Sequence, residues 1–223
     1  MKQTPMHDQY NADLLAILPK SAGRIVEVGC SSGALAREYK NSNPDCEYIG
    51  IELDPAYAEA ARRFCNRVLV GNIETMADDV FSTIAPSDCW IFGDVLEHLY
   101  NPWQVLERLR SHMTANHCIV ACIPNMQHWS VQANLMAGAL FYQDSGLFDR
   151  THIRWFTRIT IIDMFTKAGL VIEKAFPRIF DNSAGTKVIE AIRNTATSLG
   201  MDPNVAVNDS LPIQYVLKAV PSR

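Results

Sequence analysis

The sequence predicts an α/β protein built on a doubly wound, mostly parallel sheet, and three observations carry that reading. Short runs of apolar and β-branched residues alternate with amphipathic helical patterns over residues 1–175, the signature of repeated βαβ units. Two such runs are followed by Asp54-Pro55 and Asn101-Pro102, each an N-cap with a first-turn proline. A turn of small residues, 29–33, joins the first run to the first helical pattern and lets a ligand approach backbone amides closely.

In chain order, a leading helix carries Tyr10, which reads as a core tyrosine with a contact to the ligand's carboxylate as the alternative. Residues 24–28 are then the first strand and 33–39 its helix; 48–53 are the second strand, and Asp54-Pro55 opens a helix to about 66. Strands follow at 67–70 and 89–92, a helix from Asn101-Pro102 to about 113, and a strand at 118–123 stopped by Pro124. Residues 125–156 break the rhythm with one short helix at 131–139, and long interruptions of this kind serve as lids or binding loops. Thr157 caps a helix that Gly169 ends; strands at 170–175 and 213–220 flank a second interruption, 178–210, with a helix at 186–199. Seven strands result.

Length and charge narrow the function. At about 150 residues per domain, 223 residues favour one domain over residues 1–223, with a ligand-binding core at about 10–124. With 24 acids against 20 bases, a net of −4, and no run of like charges, nucleic acid is not an expected partner. No apolar stretch approaches the ~18 residues of a membrane span. The residues around Lys2, Asp8 and Asp13 hold no continuous apolar region, so no signal peptide is read there and a cytoplasmic protein without a membrane partner is expected. The six cysteines are scattered with no C-x-x-C pair and read as buried free thiols.

The turn Val28-Gly29-Cys30-Ser31-Ser32-Gly33-Ala34 and the acid Glu52, at the end of the second strand, form a nucleoside-binding layout, because a carboxylate there accepts from both ribose hydroxyls. A dinucleotide fingerprint would need glycines at 31 and 34, where the chain has Ser31 and Ala34. A nicotinamide-dependent oxidoreductase is therefore the disfavoured alternative. A turn used only for packing is another.

The pattern present, Glu27-x-Gly29-x-x-x-Gly33, resembles the first motif of the class I S-adenosylmethionine-dependent methyltransferases. Tyr48-Ile49-Gly50-Ile51-Glu52-Leu53-Asp54-Pro55 is similar to that family's second motif, and Gly71-Asn72-Ile73-Glu74 to the segment that closes over adenine. Gly93-Asp94-Val95-Leu96-Glu97-His98-Leu99, with Asn101-Pro102-Trp103 after it, resembles the post-fourth-strand motif of the branch containing ubiquinone-pathway small-molecule methyltransferases. The resemblance implies a Rossmann-like seven-stranded sheet whose last strand is antiparallel, S-adenosyl-L-methionine as cofactor, and S-adenosyl-L-homocysteine as product.

It also implies residue roles. Glu27, with the carbonyls near Gly93 and Asp94, receives the methionine ammonium, while Gly29, Cys30, Ser31 and Gly33 line its tail. Glu52 holds the ribose diol, so Glu52→Ala is expected to weaken binding without unfolding the protein. Leu53 and Ile73 sandwich the adenine; Asn72, where the family usually has Asp, still accepts from the adenine amino group through its carbonyl. A non-catalytic member of the fold is the alternative that this departure allows.

The expected reaction moves a methyl group to a small-molecule acceptor, at oxygen, with His98 and His152 as candidate bases. If 94–98 is helical, Asp94, Glu97 and His98 share one face at i, i+3 and i+4. They are then the candidates for a divalent metal, which the resembled methyltransferases hold on a similar set; a structural role for them is the favoured alternative. The interruptions at 125–156 and 178–210 are the acceptor side, with His128, Arg150, Arg154 and Trp155 as candidate acceptor-binding residues. Pairing of Asp149 with Arg150 and burial of Trp155 are the competing structural reading.

Overall fold

The computed structural model describes residues 8–222; Lys2, used above, lies outside them. Seven strands form one sheet: β1 (Arg24–Val28), β2 (Glu47–Glu52), β3 (Arg67–Val70), β4 (Cys89–Gly93), β5 (Cys118–Pro124), β6 (Leu170–Arg178) and β7 (Gln214–Pro221). Their order is β3-β2-β1-β4-β5-β7-β6. The pairs among β1 to β5 are parallel, and β7 runs antiparallel to both its neighbours.

The strand sequences explain the layering. Parallel strands covered on both faces read as continuous apolar runs, and β5 is buried along its whole length. Alternate side chains then feed two separate layers. Val26, Val28, Trp90, Phe92, Ile119 and Ala121 enter one, and Ile25, Tyr48, Cys89, Ile91, Cys118 and Val120 the other.

Helices α1 (Ala12–Ile17), α2 (Ala34–Ser42) and α3 (Pro55–Ala61) cover the layer that contains Tyr48. The opposite layer is closed by α4 (Asp78–Ile84) and α5 (Pro102–Arg110), together with α7 (Arg158–Lys167), which follows α6 (Trp129–Met136) in the chain. Asp54 and Asn101 cap α3 and α5 with prolines in their first turns, and Thr157 closes a capping box on α7.

Two helices were not read from the sequence. α4 begins after Ala77, which offers no side-chain cap. By contrast α9 (Pro203–Ser210), which follows α8 (Thr186–Ser198), is announced by Asp202-Pro203, the same signal as at α3 and α5. All six cysteines are buried and unpaired. Among the described residues no helix is long and apolar enough to cross a membrane.

The strand order reverses between β1 and β4. Ligands of open α/β sheets bind at such a switch point, beyond the carboxyl ends of the strands. The turn after β1 reaches that point because Gly33 has φ 79°. A Cβ there would sit 3.1 Å from Ala61 Cα and 3.3 Å from its carbonyl oxygen. Gly33→Ala combines left-handed strain with overpacking, each costing about 1–3 kcal/mol. We expect the denaturation midpoint to fall by the equivalent of about 2–4 kcal/mol with an unchanged m value, read by guanidinium titration.

Candidate active site

At the switch point the sheet leaves a cavity of about 700 Å³, within the range of roughly 300–1,000 Å³ usual for small-ligand sites. Its floor is the turn after β1. The amides of Gly29 and Cys30 both donate to the Ile51 carbonyl, at 2.8 and 3.2 Å. Glu52 then fixes the turn from the neighbouring strand: Oε2 accepts from Ser31 N at 2.8 Å, and Oε1 from Leu53 N and Asp54 N at 2.7 and 3.0 Å. Charge-assisted bonds of this kind are worth more than neutral ones and hold Ser31 at φ 47°.

Asp94, just beyond β4, is held at φ 55° with its Oδ1 accepting from Gln214 Nε2 of β7. Ser31 and Asp94 are the non-glycine residues with positive φ among those described, and both line the cavity. Backbone strain costs about 1–3 kcal/mol per residue and concentrates at functional sites.

Most of the residues assigned to a cofactor by the sequence meet around this space. Glu27, Gly29, Cys30 and Ser31 line it from β1 and its turn. Glu52, Leu53, Asn72 and Ile73 line it from β2 and the loop after β3, and Gly93 and Asp94 from β4. Gly33 does not: it sits behind the turn as the N-cap of α2. The Asn72 side-chain carbonyl accepts from Glu74 N at 2.8 Å, so it shapes its own loop. Tyr10 is not a core residue. It precedes α1, is 41% exposed, and stands on the cavity wall.

Beyond β4 the expected helical face of Asp94, Glu97 and His98 does not form. The left-handed turn at Asp94 breaks the register, and Leu96–His98 is a single 3-10 turn. Asp94 turns to Gln214, and a residue from the 125–156 interruption approaches Glu97 instead. The amides of Ile153 and Arg154 both donate to the Glu97 carbonyl, at 3.0 and 2.9 Å, and this pinning delivers His152. The result is a cluster of Glu97, His98 and His152 whose ligating atoms lie within 4.8 Å of one another.

The electrostatics of that cluster follow from its contacts. Nδ1 of His98 lies 3.1 Å from the Thr151 carbonyl and Nδ1 of His152 lies 3.4 Å from that of Leu147. A carbonyl only accepts, so both Nδ1 atoms carry the proton and both Nε2 atoms present lone pairs. The rings meet edge to face, centroids 4.8 Å apart. Burial lowers both imidazole pKa values, and His98 lowers that of His152 further. Glu97 is 1% exposed and, among the described residues, neither carboxylate oxygen has a hydrogen-bond partner. Oε1 lies 3.9 Å from His152 Nε2. Burial, with Asp94 and then Asp149 nearby, pushes the Glu97 carboxyl well above the ordinary range.

The acceptor-side candidates are placed differently. His98 and His152 line the cavity, but His128, Arg150, Arg154 and Trp155 are not among the residues described as lining it. His128 caps α6 by accepting from Ser130 N. Arg150 pairs with Asp144 at 2.7 Å, and not with Asp149, whose Oδ1 accepts from Thr151 N and Oγ1. Arg154 donates to the Tyr100 carbonyl and lies over the Trp103 ring at 5.7 Å, while Trp155 remains 45% exposed. This half of the cavity is walled instead by Gly146, Leu147, Ile153, Phe180 and Ile213. Apart from Ile213, at the start of the segment read as the last strand, their positions depend on how the two interruptions fold back, which no local pattern encodes.

Residues 26–118 match the family model described as a methyltransferase domain. That match runs from β1 to the start of β5, the strands that carry the turn and the acid described above. Over 139 residues the chain is 34% identical to the release factor glutamine methyltransferase of Escherichia coli (strain K12), an alignment covering 62% of this chain and 43% of that protein. It therefore spans less than half the length of that curated relative. The fold also superimposes on the mitomycin 7-O-methyltransferase with a TM-score of 0.59 at 16% identity, over 94% of this chain and 52% of that one. For magnesium protoporphyrin IX methyltransferase from Synechocystis PCC 6803, solved with bound SAH, the TM-score is also 0.59, at 13% identity over 95% and 80%.

Glu52 accepts three backbone amides, so its removal is expected to cost stability as well as any ligand binding. Losing three amide partners at about 1–3 kcal/mol each for a charged acceptor, Glu52→Ala is expected to lower stability by at least about 2 kcal/mol. Glu52→Gln, which keeps one acceptor oxygen, is expected to lose less; chemical denaturation of the two variants side by side checks this.

Proposed function

We propose that this domain transfers a methyl group from S-adenosylmethionine to an uncharged, hydroxylated small molecule, at oxygen. One observation carries the reading: Glu27, Glu52, Glu74, Asp94 and Asp149 line the cavity, and no Lys or Arg is described among its walls. A diphosphate would meet like charge there, whereas a ligand bearing a sulfonium and an ammonium meets its complement. S-adenosylmethionine supplies a methyl group already activated on sulfur, so the protein's task is to align an acceptor and exclude water, worth on the order of 7–11 kcal/mol.

In this assignment Glu27 accepts from the ammonium, Gly29 to Ser31 follow the amino-acid tail, Glu52 accepts from the ribose, and Leu53 and Ile73 hold the adenine. Asn72 keeps the adenine loop in shape. The apolar walls at Leu147, Ile153 and Phe180 suit the body of an organic acceptor. In the absence of an ion, the neutral imidazoles of His98 and His152 offer Nε2 as the base that removes the hydroxyl proton, and burial keeps them unprotonated at neutral pH; with an ion bound, the same lone pairs are ligands and the proton leaves by another route. A protein acceptor, as in the release factor relative, is the second reading, and the apolar enclosure favours a small molecule over it. Arg150, Arg154, Trp155 and His128 enter this scheme as scaffold.

Calorimetry tests the cofactor. S-adenosylmethionine and S-adenosylhomocysteine are expected to bind in the range of about 1 μM to 1 mM typical of enzyme ligands, and NAD not to bind. Absence of binding by both sulfur compounds would falsify the function.

The orphaned carboxylate of Glu97 favours a metal-assisted form of this reaction. Glu97 and the two Nε2 atoms are an oxygen–nitrogen donor set suited to a divalent ion such as Mn²⁺ or Mg²⁺, which would lower the pKa of a bound acceptor hydroxyl. Asp94, committed to Gln214, stands outside that set. Mn²⁺ binding followed by electron paramagnetic resonance is expected in the native protein and to weaken at least about tenfold in His152→Ala. Equal signals from the two proteins would remove the ion from the mechanism.

A further inference from the structure

We propose that Tyr48 is a positioning residue for cofactor recognition: its hydroxyl holds one oxygen of Glu27 so that the buried carboxylate is fixed, and charged, where the ligand's ammonium arrives. The inference rests on the reading of the cavity as an S-adenosylmethionine site and goes beyond it, since Tyr48 does not line that cavity.

Strand periodicity creates the arrangement. Tyr48, Gly50 and Glu52 alternate onto one face of β2, and Ile25 and Glu27 onto the same face of β1. The register sets Tyr48 opposite Ile25, and Gly50 opposite Glu27. Gly50 leaves the position beside Glu27 without a side chain, and Cys30 Sγ lies 2.5 Å from where its Cβ would be. Tyr48 therefore reaches diagonally across the gap, its hydroxyl donating to Glu27 Oε2 at 2.9 Å. The ring has no exposure and packs against Tyr39 at 6.0 Å, so the donor is fixed before any ligand binds.

Glu27 needs that donor. Tyr48 and Glu52 on β2, Cys65 beyond α3, and Cys30 on its own turn are the titratable groups that act on it, while β4 and α1 offer it Gly93 and Leu14. Every one is neutral or an acid. Burial raises the Glu27 carboxyl well above its ordinary range, Cys65 and Glu52 add to the rise, and the Tyr48 hydrogen bond opposes it. The phenol, raised by burial and by Glu27, stays protonated and remains a donor. An ammonium binds to the ionised carboxylate, so affinity falls as pH falls through the Glu27 pKa, and loss of the phenol moves that fall to higher pH.

The test pairs two ligands that differ at the tail. S-adenosylhomocysteine carries the ammonium; 5′-methylthioadenosine keeps the nucleoside and thioether without it. Tyr48→Phe is expected to weaken the first about tenfold, as for loss of a hydrogen bond to a charged group, and the second less than about twofold. Its affinity–pH profile for S-adenosylhomocysteine shifts to higher pH, whereas 3,5-difluorotyrosine at position 48, a stronger donor of the same shape, shifts it lower. In a Glu27→Gln background Tyr48→Phe costs nothing further. Equal losses for the two ligands, or a profile that neither replacement moves, overturn the proposal. Native protein that binds neither ligand overturns the proposed function with it; native protein that binds both, with Tyr48→Phe indistinguishable, overturns the role of Tyr48 alone.

Discussion

Two strand ends are forced into left-handed turns, and the rest of the site depends on the side chains that hold them there. Ser31 beyond β1 is fixed by Glu52, and Asp94 beyond β4 is tied to Gln214. In both cases the clamp comes from another strand of the sheet, so the turn geometry exists only once the sheet is paired. Strain of about 1–3 kcal/mol at each residue is thereby offset by tertiary contacts instead of local propensity. The consequence is an open mouth at the switch point, with backbone amides and carboxylates aimed into it before any ligand arrives.

The second half of the site is assembled by a different route. Glu97 uses its backbone carbonyl to receive two amides from 153–154, and its carboxylate is left inside with two imidazoles. Glu97 therefore helps to join the sheet to the 125–156 interruption and places its own carboxylate at the junction. That interruption is also pinned by Arg154 on the Tyr100 carbonyl. A segment held at Glu97, His98 and Tyr100 can carry apolar walls on its inner side without disturbing the sheet.

Much of this was legible in the sequence because its causes are local. Buried parallel strands read as near-continuous apolar runs, Asx-Pro pairs begin helices, and the spacing of Glu27, Gly29, Gly33 and Glu52 reflects one strand–turn–helix unit and its neighbour. The same logic would have found α9 from Asp202-Pro203. It could not find α4, which starts without a cap. Nor could it place His152 beside Glu97, or replace Asp94 in that group, because those outcomes turn on one left-handed residue and on pairing across more than fifty positions. The cationic and aromatic residues of 150–155 look like binding residues in a string. In three dimensions Arg150 and Arg154 meet Asp144 and the Tyr100 carbonyl instead.

The charge distribution ties the two halves together energetically. Glu27 and Glu97 both have carboxyls raised above their ordinary range by burial. A raised acid contributes stability while it is protonated, below its unfolded-state pKa, and that contribution is withdrawn as pH rises through the higher folded-state value. At neutral pH the protein thus keeps a cost at both carboxyls, either as buried charge or as protons held against the solvent, and that of Glu27 faces the cavity. In the proposed reading a cationic ligand offsets the cost at Glu27 as it binds, because its charge favours the ionised carboxylate. In that reading affinity and selectivity for positive charge have one origin: the cavity is acidic and described with no Lys or Arg in its walls. Filling it with Lys or Arg would stabilise the empty fold and abolish the reason for a sulfonium to enter, which is the trade expected where stability yields to function.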